Sequence, residues 1–508
     1  MKIDFIKNTK RNVLWGFINK AVMILFPFLI RTITLEVLGD KYLGLNGLFT
    51  SVLQVLNLTE LGLSSAIVYS MYEPIAKNNE EQICALLRLF RKAYYVIAGL
   101  ILAAGLIIIP WLPLFIEDDV STIGVNIYAV YLIYLFNTVA SYCFFGYRTV
   151  ILTAFQRTDV SSNISTVIQI AAYTAQILLI IGTKNYYAYL IVLPISTILV
   201  NVLNYIISKK MFPQYVCVGR VDSKILGGMK KQLVGLMVNK LCQTSRNSLD
   251  QICISAFLGL TMTTIYGNYY YILTAVVTFI GILTTSMLSG IGNNIVLKSV
   301  EENYRDFKKI NFVYMWIGGW CTICMAVLYQ PFMELWVGAE YLFPDSVAFL
   351  LCIYFYVLKM GDIRGMYSDA AGLWWENKYR AVFEAAANLV LNILLVRLWG
   401  IYGIILATLL TLFLINFVGG SQILFRHYFV GISMKGFYLS HGFYAAVTFL
   451  AWRVTSLAAG WAAFPGWYGL FARLFCCILL PNGLYYCVYR LYPGTRDYVK
   501  SMLSILRR

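Results

Sequence analysis

The chain has 508 residues, of which 60% are hydrophobic and 13% are charged, and its mean hydropathy is +0.71. A soluble globular domain carries about 25% charged residues, so this composition excludes a soluble enzyme or binding domain and predicts a polytopic membrane protein. The formal net charge of +16 does not indicate nucleic-acid binding, because the basic residues lie in short loops between apolar segments and form no basic domain.

Hydropathy over windows of about 19 residues predicts fourteen transmembrane helices. The first apolar run is too long for a cleavable signal peptide and has no small-residue cleavage site, so we expect it to be the first span. The predicted spans are 13–35, 43–72, 90–114, 123–150, 160–182, 186–207, 232–259, 263–297, 310–331, 342–371, 379–398, 401–425, 437–456 and 467–489.

The distribution of basic residues tests this number of spans, since one missed or invented span would scramble the alternation of basic loops. With the N-terminus assigned to the cytoplasm, the inner segments and the span ends next to them carry 29 of the 40 lysines and arginines. The outer segments and their adjoining span ends carry only Lys41, Lys184, Arg397 and Arg453. We therefore predict that both termini are cytoplasmic.

The seventh predicted span carries charges where hydrocarbon is expected. Its polar residues follow one helical face at steps of four, three and four, and Lys240 lies beside them. A charge at mid-bilayer costs roughly 2.5 to 3.5 kcal/mol, so such residues usually face a bundle interior or a watery cavity. The stripe therefore predicts a cavity wall for a large polar ligand; the alternative is an i, i+4 ion pair between its last two members that touches nothing else. Its members are Asn239, Gln243, Arg246 and Asp250.

Other spans also carry polar residues that support a cavity. In the first span, Lys20 and Arg31 lie eleven residues apart on one face, with Pro27 between them to kink the helix. The second span contains Glu60. The tenth carries Lys359, Asp362 and Asp369 on one side and Arg364 on another, and the eleventh carries Glu384.

A repeat appears when the chain is aligned with itself at an offset of 220 positions. Lys10–Lys20 then faces Lys230–Lys240, and Leu38 and Gly39 meet Leu258 and Gly259. An offset of six spans makes the repeats parallel, so we expect two six-helix lobes with the substrate site between them. The predicted organisation is an N-lobe at 1–208, a basic cytoplasmic linker at 209–231, a C-lobe at 232–427, and two further helices with a cytoplasmic tail at 428–508.

Neither the cysteines nor the aromatic residues indicate a cofactor. Cys321 and Cys324 form a CxxC within an apolar helix, but no second ligand pair accompanies them, so we predict no metal. The motif YGNYYY from Tyr266 could stack on sugars, although membrane-interface belts use the same residues.

Several segments of the chain resemble the Wzx-type polysaccharide flippases, members of the multidrug/oligosaccharidyl-lipid/polysaccharide exporter (MOP) superfamily. The resemblance covers almost the whole chain. It is carried by Arg31 followed by LEVLGDKYLGLNGL, by ELGLSSAIV from Glu60, by SLDQICISAFLGL from Ser248 followed by YGNYYYIL, and by KYRAVFEAAANLVLNILLVRLWGIYGIILATLL from Lys378.

The resemblance implies two lobes forming a V around a cationic cavity, which moves undecaprenyl-pyrophosphate-linked glycan units across the bacterial cytoplasmic membrane. It implies Arg31 and Arg246 as ligands of the anionic head group, with Lys20 and Lys240 as supporting cationic residues. Asn239 and Gln243 are expected to bind glycan hydroxyl groups, and Arg364 is a further candidate for binding the pyrophosphate or the glycan. Candidate carriers of a coupling H⁺ or Na⁺ are Asp250, Glu60, Asp362 and Asp369, because a carboxylate in low dielectric can exchange a proton near neutral pH. The expected protein is a monomer without cofactors, which works beside a polymerase and other polysaccharide-assembly proteins.

Two other functions remain open at this point. A drug/cation antiporter of the same superfamily is disfavoured because the predicted cavity is more cationic than acidic, and because the first helix lacks a carboxylate near Pro27. A membrane glycosyltransferase or polymerase is disfavoured by short outer loops and by the lack of paired carboxylates. The identity of the glycan, whether O-antigen, capsule, teichoic-type or peptidoglycan precursor, stays undecided.

Overall fold

The computed structural model describes residues 5–57, 63–119, 123–221, 223–462 and 464–506. Over these ranges the chain is helical and contains no β-strand. The prediction of an all-α polytopic membrane protein is confirmed. Glu60, one of the predicted coupling residues, lies outside the described residues.

Eighteen α-helices follow one another along the described chain. They are α1 Phe5–Val37, α2 Asp40–Leu56, α3 Leu63–Ala76, α4 Glu80–Ile108, α5 Ile127–Cys143, α6 Thr149–Ala154, α7 Thr158–Thr183, α8 Tyr186–Met211, α9 Ser223–Leu297, α10 Val300–Val337, α11 Asp345–Met360, α12 Asp362–Ala370, α13 Trp374–Trp399, α14 Ile401–Leu410, α15 Gly420–His427, α16 Lys435–Trp461, α17 Gly466–Leu491 and α18 Pro493–Leu506. A π-helical segment, Thr411–Gly419, joins α14 to α15.

Ten helices among the described residues are long and apolar enough to cross a membrane, or eleven if the bent pair Ile127–Cys143 and Gly146–Ala154 forms one span. The number differs from fourteen for identifiable reasons. The continuous stretch Val234–Ile282 covers parts of two predicted spans. The second predicted span is divided between α2 and α3, which have 17 and 14 residues, and α16 is long enough but less apolar.

The helix starts follow the predicted repeat. The Asn79 side chain accepts a hydrogen bond from the Gln82 N–H at 3.0 Å and caps α4. At the position 220 residues later, Ser299 caps α10 in a capping box with Glu302. Both caps satisfy N–H groups that a helix start leaves without partners.

The repeat also places two glycines in the same unusual backbone conformation. Gly39, between α1 and α2, has φ 104° and ψ 175°, and Gly259, inside α9, has φ 84° and ψ 175°. This region is open almost exclusively to glycine. The first two spans of each repeat are therefore separated by the same glycine-dependent break.

The two breaks lie against each other. The Thr264 Oγ1 donates a hydrogen bond to the Asp40 carbonyl oxygen at 2.6 Å. At the related positions, Gly44 packs against the Leu260 backbone so closely that a Cβ would overlap it. The offset of 220 relates Asp40 to Leu260 and Gly44 to Thr264, so the two contacts join equivalent pairs of positions with the partners exchanged. An interface between elements related by a two-fold axis has the same property.

The chain divides into two compact units, Met1–Thr264 and Ile265–Arg508. The division falls within α9, shortly after Gly259, so the first part of this helix packs with the N-terminal unit. The predicted lobe boundaries are defined by the repeat and stay a prediction.

The predicted linker is largely structured on the N-terminal unit. The Arg148 Nη1 donates to the Tyr215 carbonyl oxygen at 2.6 Å, and the Arg88 Nη1 donates to that of Gly219 at 3.0 Å. Burial of this segment raises the pKa of the Cys217 thiol. The remainder of the predicted linker is helical from Ser223 onward.

We predict that Gly39→Ala and Gly259→Ala each lower the free energy of unfolding by about 1 to 3 kcal/mol, because alanine is strained at these backbone angles. A Cβ at Gly259 would also approach the Asp118 Oδ2 to 2.9 Å. The measurement is unfolding in mixed micelles. Gly99→Ala is the control: Gly99 is inside α4 with open space around it, so this change should stabilise by about 0.5 to 1 kcal/mol. Equal effects at all three positions would contradict the interpretation of the breaks.

Candidate functional site

The first helix is positioned by an uncharged residue beside its lysine. The Asn19 Nδ2 donates to the Thr166 Oγ1 at 3.0 Å and to the Ser162 carbonyl oxygen at 3.4 Å, which fixes α1 against α7. Lys20 is exposed, whereas Arg31, beyond Pro27 in the same helix, is half-buried. The two predicted cationic residues of α1 therefore have different surroundings.

A row of hydrogen-bonding groups extends from α8 to α2 near Arg31. The charge of Arg31 acts on the hydroxyl of Tyr189. That hydroxyl accepts a hydrogen bond from the Asn46 Nδ2 at 3.2 Å, and the Asn46 Oδ1 accepts one from the Thr50 Oγ1 at 3.2 Å. The half-buried arginine is thus followed by neutral donors and acceptors of the kind that bind hydroxyl groups.

The polar stripe of α9 changes from exposed to buried along the helix. Lys240 and Gln243 are exposed, and Asn239 is half-buried with its Nδ2 donating to the Gly235 carbonyl oxygen at 2.7 Å. Arg246 and Asp250, one turn apart, are each only 3% exposed. The structure therefore buries both of these charges.

Uncharged polar residues hold this part of α9 against α2. The Ser51 Oγ donates to the Gln251 Oε1 at 2.7 Å, and the Ser248 Oγ donates to the Gln54 Oε1 at 3.3 Å. Ser51 and Ser248 are buried. Arg246 and Asp250 therefore lie on a helix whose neighbouring residues are fixed by hydrogen bonds.

The break at Gly259 has its own polar support. The Asp118 Oδ2 accepts a hydrogen bond from the Leu260 N–H at 2.7 Å, and its Oδ1 forms an ion pair with the Lys41 Nζ at 3.2 Å. The Asp40 side chain accepts a hydrogen bond from Thr261. Asp118 thus satisfies a backbone N–H group and the charge of Lys41, and Asp40 satisfies a hydroxyl group beside the break.

The predicted charged residues on one side of the tenth span have separate surroundings. Asp362 forms an ion pair with the buried Lys359 at 2.7 Å and accepts a hydrogen bond from the Tyr314 hydroxyl. Asp369 is exposed and accepts a hydrogen bond from the Trp374 indole N–H at 2.9 Å. The structure does not bring the two carboxylates together.

Arg364 belongs to a buried network in the C-terminal unit. Its Nη2 donates to the Asn416 Oδ1 at 2.8 Å, and the Asn416 Nδ2 donates to the Glu384 Oε2 at 2.9 Å. The Glu384 Oε2 also forms an ion pair with the Arg380 Nη1 at 2.6 Å. Gly420 leaves the space that the Arg364 guanidinium fills. Three helical segments are joined by this network, including the π-helical one.

The sequence indicates Glu384 as a charge within a span, but not the network around it. One signal was available, since Arg380 and Glu384 stand four residues apart, the spacing of a helical ion pair. Asn416 could not be found in this way, because its role depends on packing between α12, α13 and the π-helical segment.

Two tyrosines of the YGNYYY motif are buried and pack against other aromatic rings. Tyr269 is fully buried, with its ring 4.9 Å from that of Phe343 and 5.0 Å from that of Tyr329. Tyr266 is buried and stacks on Tyr270 at 5.5 Å. Tyr269 is therefore not available to stack on a sugar.

No protein-family model and no curated protein matches the sequence. Solved structures do match. A mutant of the Vibrio cholerae MATE transporter VcmN is 13% identical with a TM-score of 0.60, covering 84% of this chain and 99% of that one. Lipid II flippase MurJ in an inward closed conformation is 13% identical with a TM-score of 0.61, covering 94% and 98%. A MOP superfamily transporter from Pyrococcus furiosus is 15% identical with a TM-score of 0.55, covering 83% and 95%.

The chain is a multi-pass membrane protein with the fold shared by MATE transporters and MurJ. These neighbours are transporters and a flippase, and the Pyrococcus furiosus transporter and a matching MATE family transporter are described as members of the MOP superfamily. The likeness to these structures shows the fold, and the prediction of an all-α fold of this kind is confirmed.

We predict that Glu384→Ala lowers the free energy of unfolding by about 3 to 5 kcal/mol, because it removes a buried carboxylate and leaves the half-buried Arg380 and Asn416 without this partner. The measurement is unfolding in mixed micelles. The control is Asp306→Ala, which removes an ion pair to Lys298 of similar length, 2.7 Å, whose side chains are 27% and 40% exposed. That change should cost about 0 to 1 kcal/mol. A small effect at Glu384 would mean that the network does not stabilise the unit.

Proposed function

We propose that this protein is a flippase that moves undecaprenyl-pyrophosphate-linked oligosaccharide units from the inner to the outer leaflet of the bacterial cytoplasmic membrane by alternating access. The observation that carries the proposal is the placement of arginines inside the membrane-spanning helices of a MOP-type fold. Arg246 is buried and Arg31 is half-buried. Such charges are costly in a membrane and usually mark a substrate or ion pathway.

Arginine suits a pyrophosphate for two physical reasons. Its planar guanidinium donates paired hydrogen bonds to phosphate oxygens, and it keeps its charge in a partly dry environment. The exposed Lys20 and Lys240 would add attraction for the anion where α1 and α9 approach the predicted cytoplasmic side. A cationic drug would gain nothing from this set of residues.

The glycan requires neutral partners for its hydroxyl groups. Asn46 and Thr50 on α2, with the exposed Gln54 and Gln243, provide donors and acceptors on the helices that neighbour the two arginines. The polyprenyl tail can remain in lipid, so only the head group and glycan need a polar path. No covalent chemistry is required of the protein.

The comparisons include a lipid II flippase as well as drug transporters. The match to MurJ covers 94% of this chain, whereas matches to MATE transporters cover 79% to 84%. For the Pyrococcus furiosus transporter, the reverse polarity of the binding pocket suggests a different function. By the same reasoning, a site that contains arginines favours an anionic substrate over a cationic drug.

Among the predicted coupling residues, Asp250 is the one we assign to H⁺ or Na⁺ coupling. It is buried, and a buried carboxylate is stable only when it is neutralised by a proton, a cation or a basic group. Of the described candidates it is the most deeply buried, since Asp362 is half-buried and Asp369 is exposed. The protein would act as a monomer, with both termini cytoplasmic, beside a polymerase and other polysaccharide-assembly proteins.

We predict that Arg31→Ala and Arg246→Ala each reduce flipping of a fluorescent undecaprenyl-pyrophosphate-linked oligosaccharide at least tenfold. Loss of one charge-assisted contact of about 1.5 to 3 kcal/mol gives a change of this size. The measurement is dithionite quenching of the fluorophore in proteoliposomes. Arg246→Lys should restore part of the activity, since lysine keeps the charge but not the planar pair of donors.

Arg397→Ala is the matched control, because Arg397 is an exposed residue near the end of α13. It should flip the lipid at the wild-type rate. Wild-type rates in both test variants would exclude the proposed head-group site. Failure to flip several glycans, combined with uptake of amphiphilic cations, would favour a drug/cation antiporter.

We predict that Asp250→Asn abolishes the dependence of flipping on a proton or sodium gradient, because asparagine can neither bind a proton nor neutralise a cation. The measurement compares flipping with and without each gradient across the liposome membrane. Asp369→Asn should retain gradient dependence, since Asp369 is exposed. If Asp250→Asn retains a wild-type response to both gradients, coupling takes place elsewhere.

A further inference from the structure

A cavity of about 490 Å³ lies among α10, α11, α16 and α17, apart from the residues of the proposed transport site. Its volume is within the range of small-molecule sites, about 300 to 1,000 Å³. Ala326, Val327 and Pro331 form part of an apolar wall. Phe349 and Trp452 form an aromatic wall, with ring centroids 4.6 Å apart.

Two opposite charges line the cavity without being paired to each other. Asp345 accepts a hydrogen bond from the Gln330 Nε2 at 2.9 Å and forms no ion pair with any described residue. Arg473, inside α17, forms neither a hydrogen bond nor an ion pair within the described part of the chain. An arginine within an apolar helix is costly unless a partner or water compensates it. An occupant with one negative and one positive group would satisfy both side chains.

The predicted topology puts the cavity near the depth where lipid headgroups meet acyl chains. Gln330 and Arg473 each lie seven residues from the nearer end of their helices, α10 and α17. At 1.5 Å per residue this distance is roughly 10 Å. The loop after α10 and the start of α17 are on the outer side in the predicted topology, so the cavity is assigned to the outer leaflet.

The two helices that carry Trp452 and Arg473, α16 and α17, also carry exposed apolar side chains. Phe449, Leu450 and Phe475 have exposed fractions of 55%, 63% and 63%. On a membrane-spanning helix, such exposed side chains face acyl chains. A ligand with a charged head and hydrocarbon tails fits this combination better than a water-soluble zwitterion.

We propose that this cavity binds the headgroup of a zwitterionic glycerophospholipid of the phosphoethanolamine type. The phosphate pairs with the Arg473 guanidinium, and the ammonium group pairs with the Asp345 carboxylate next to Gln330. The acyl chains follow the apolar surface of α16 and α17. The site is independent of the proposed transport function, since none of its residues takes part in that function.

The test is native mass spectrometry of the full-length protein in detergent, titrated with phosphatidylethanolamine and phosphatidylglycerol of identical acyl chains. We expect wild type to bind phosphatidylethanolamine about five- to tenfold more tightly, because only that headgroup provides an ammonium for Asp345. Asp345→Asn should remove this preference and leave phosphatidylglycerol binding unchanged. Arg473→Ala should weaken binding of both lipids, and Arg473→Lys should restore part of it.

Two further arms decide between alternative explanations. Arg397→Ala, which removes an exposed arginine elsewhere, should bind both lipids as wild type does, and melting temperatures of all variants separate lost binding from misfolding. Water-soluble glycerophosphoethanolamine should compete poorly with the lipid. Equal affinities of wild type for the two lipids, an unchanged preference in Asp345→Asn, or competition by glycerophosphoethanolamine at the affinity of the lipid would each overturn the proposal.

Discussion

The structure depends on one constraint: a backbone N–H or C=O group inside a membrane must find a partner within the protein. Helices satisfy this requirement internally, so each interruption of a helix needs special compensation. At Gly259 the chain leaves helical geometry, and the Asp118 carboxylate accepts the hydrogen bond of the freed Leu260 N–H. The acidic residue and the glycine thus act together, because glycine allows the break and the carboxylate satisfies the N–H group that the break leaves without a helical partner.

The same constraint explains why the related breaks at Gly39 and Gly259 lie together. A break exposes polar backbone, and two breaks in contact can satisfy each other. The Asp40 carbonyl oxygen accepts a hydrogen bond from Thr264, while Gly44 and Leu260 approach closely at the related positions. A repeat with its breaks in equivalent positions therefore yields a contact in which both partners contribute in the same way.

Much of the fold could be predicted because its determinants are local in sequence. The length of each apolar run predicts a membrane span, and the positions of the basic loops indicate the orientation of the spans. Asn79 and Ser299, found at helix starts, also lie 220 residues apart, so the repeat predicts caps as well as helices. The N-terminal half of α9 is harder to assign, because the repeat groups it with the C-lobe while its hydrogen bonds are with α2.

The candidate site was only partly predictable, because the sequence shows which charges lie in spans but not what surrounds them. Lys240 and Arg246 belong to one predicted stripe, yet the first is exposed and the second is buried. Such differences arise from contacts between residues distant in sequence, for which a single chain gives no signal.

Arginines in spans serve two different purposes in this chain. Arg364 donates to Asn416, which donates to Glu384, so releasing its guanidinium to a substrate would leave a buried network incomplete. Breaking a buried polar network costs several kcal/mol, comparable to the gain from one phosphate contact. Arg364 is therefore better suited to holding α12 against the π-helical segment than to binding a transported anion.

In the first helix, by contrast, the amide of Asn19 fixes α1 against α7, and Arg31 lies half-buried three turns further along. Anchoring and charge are thus assigned to different residues of α1, which makes the N-terminal unit the better place to look for the head-group site.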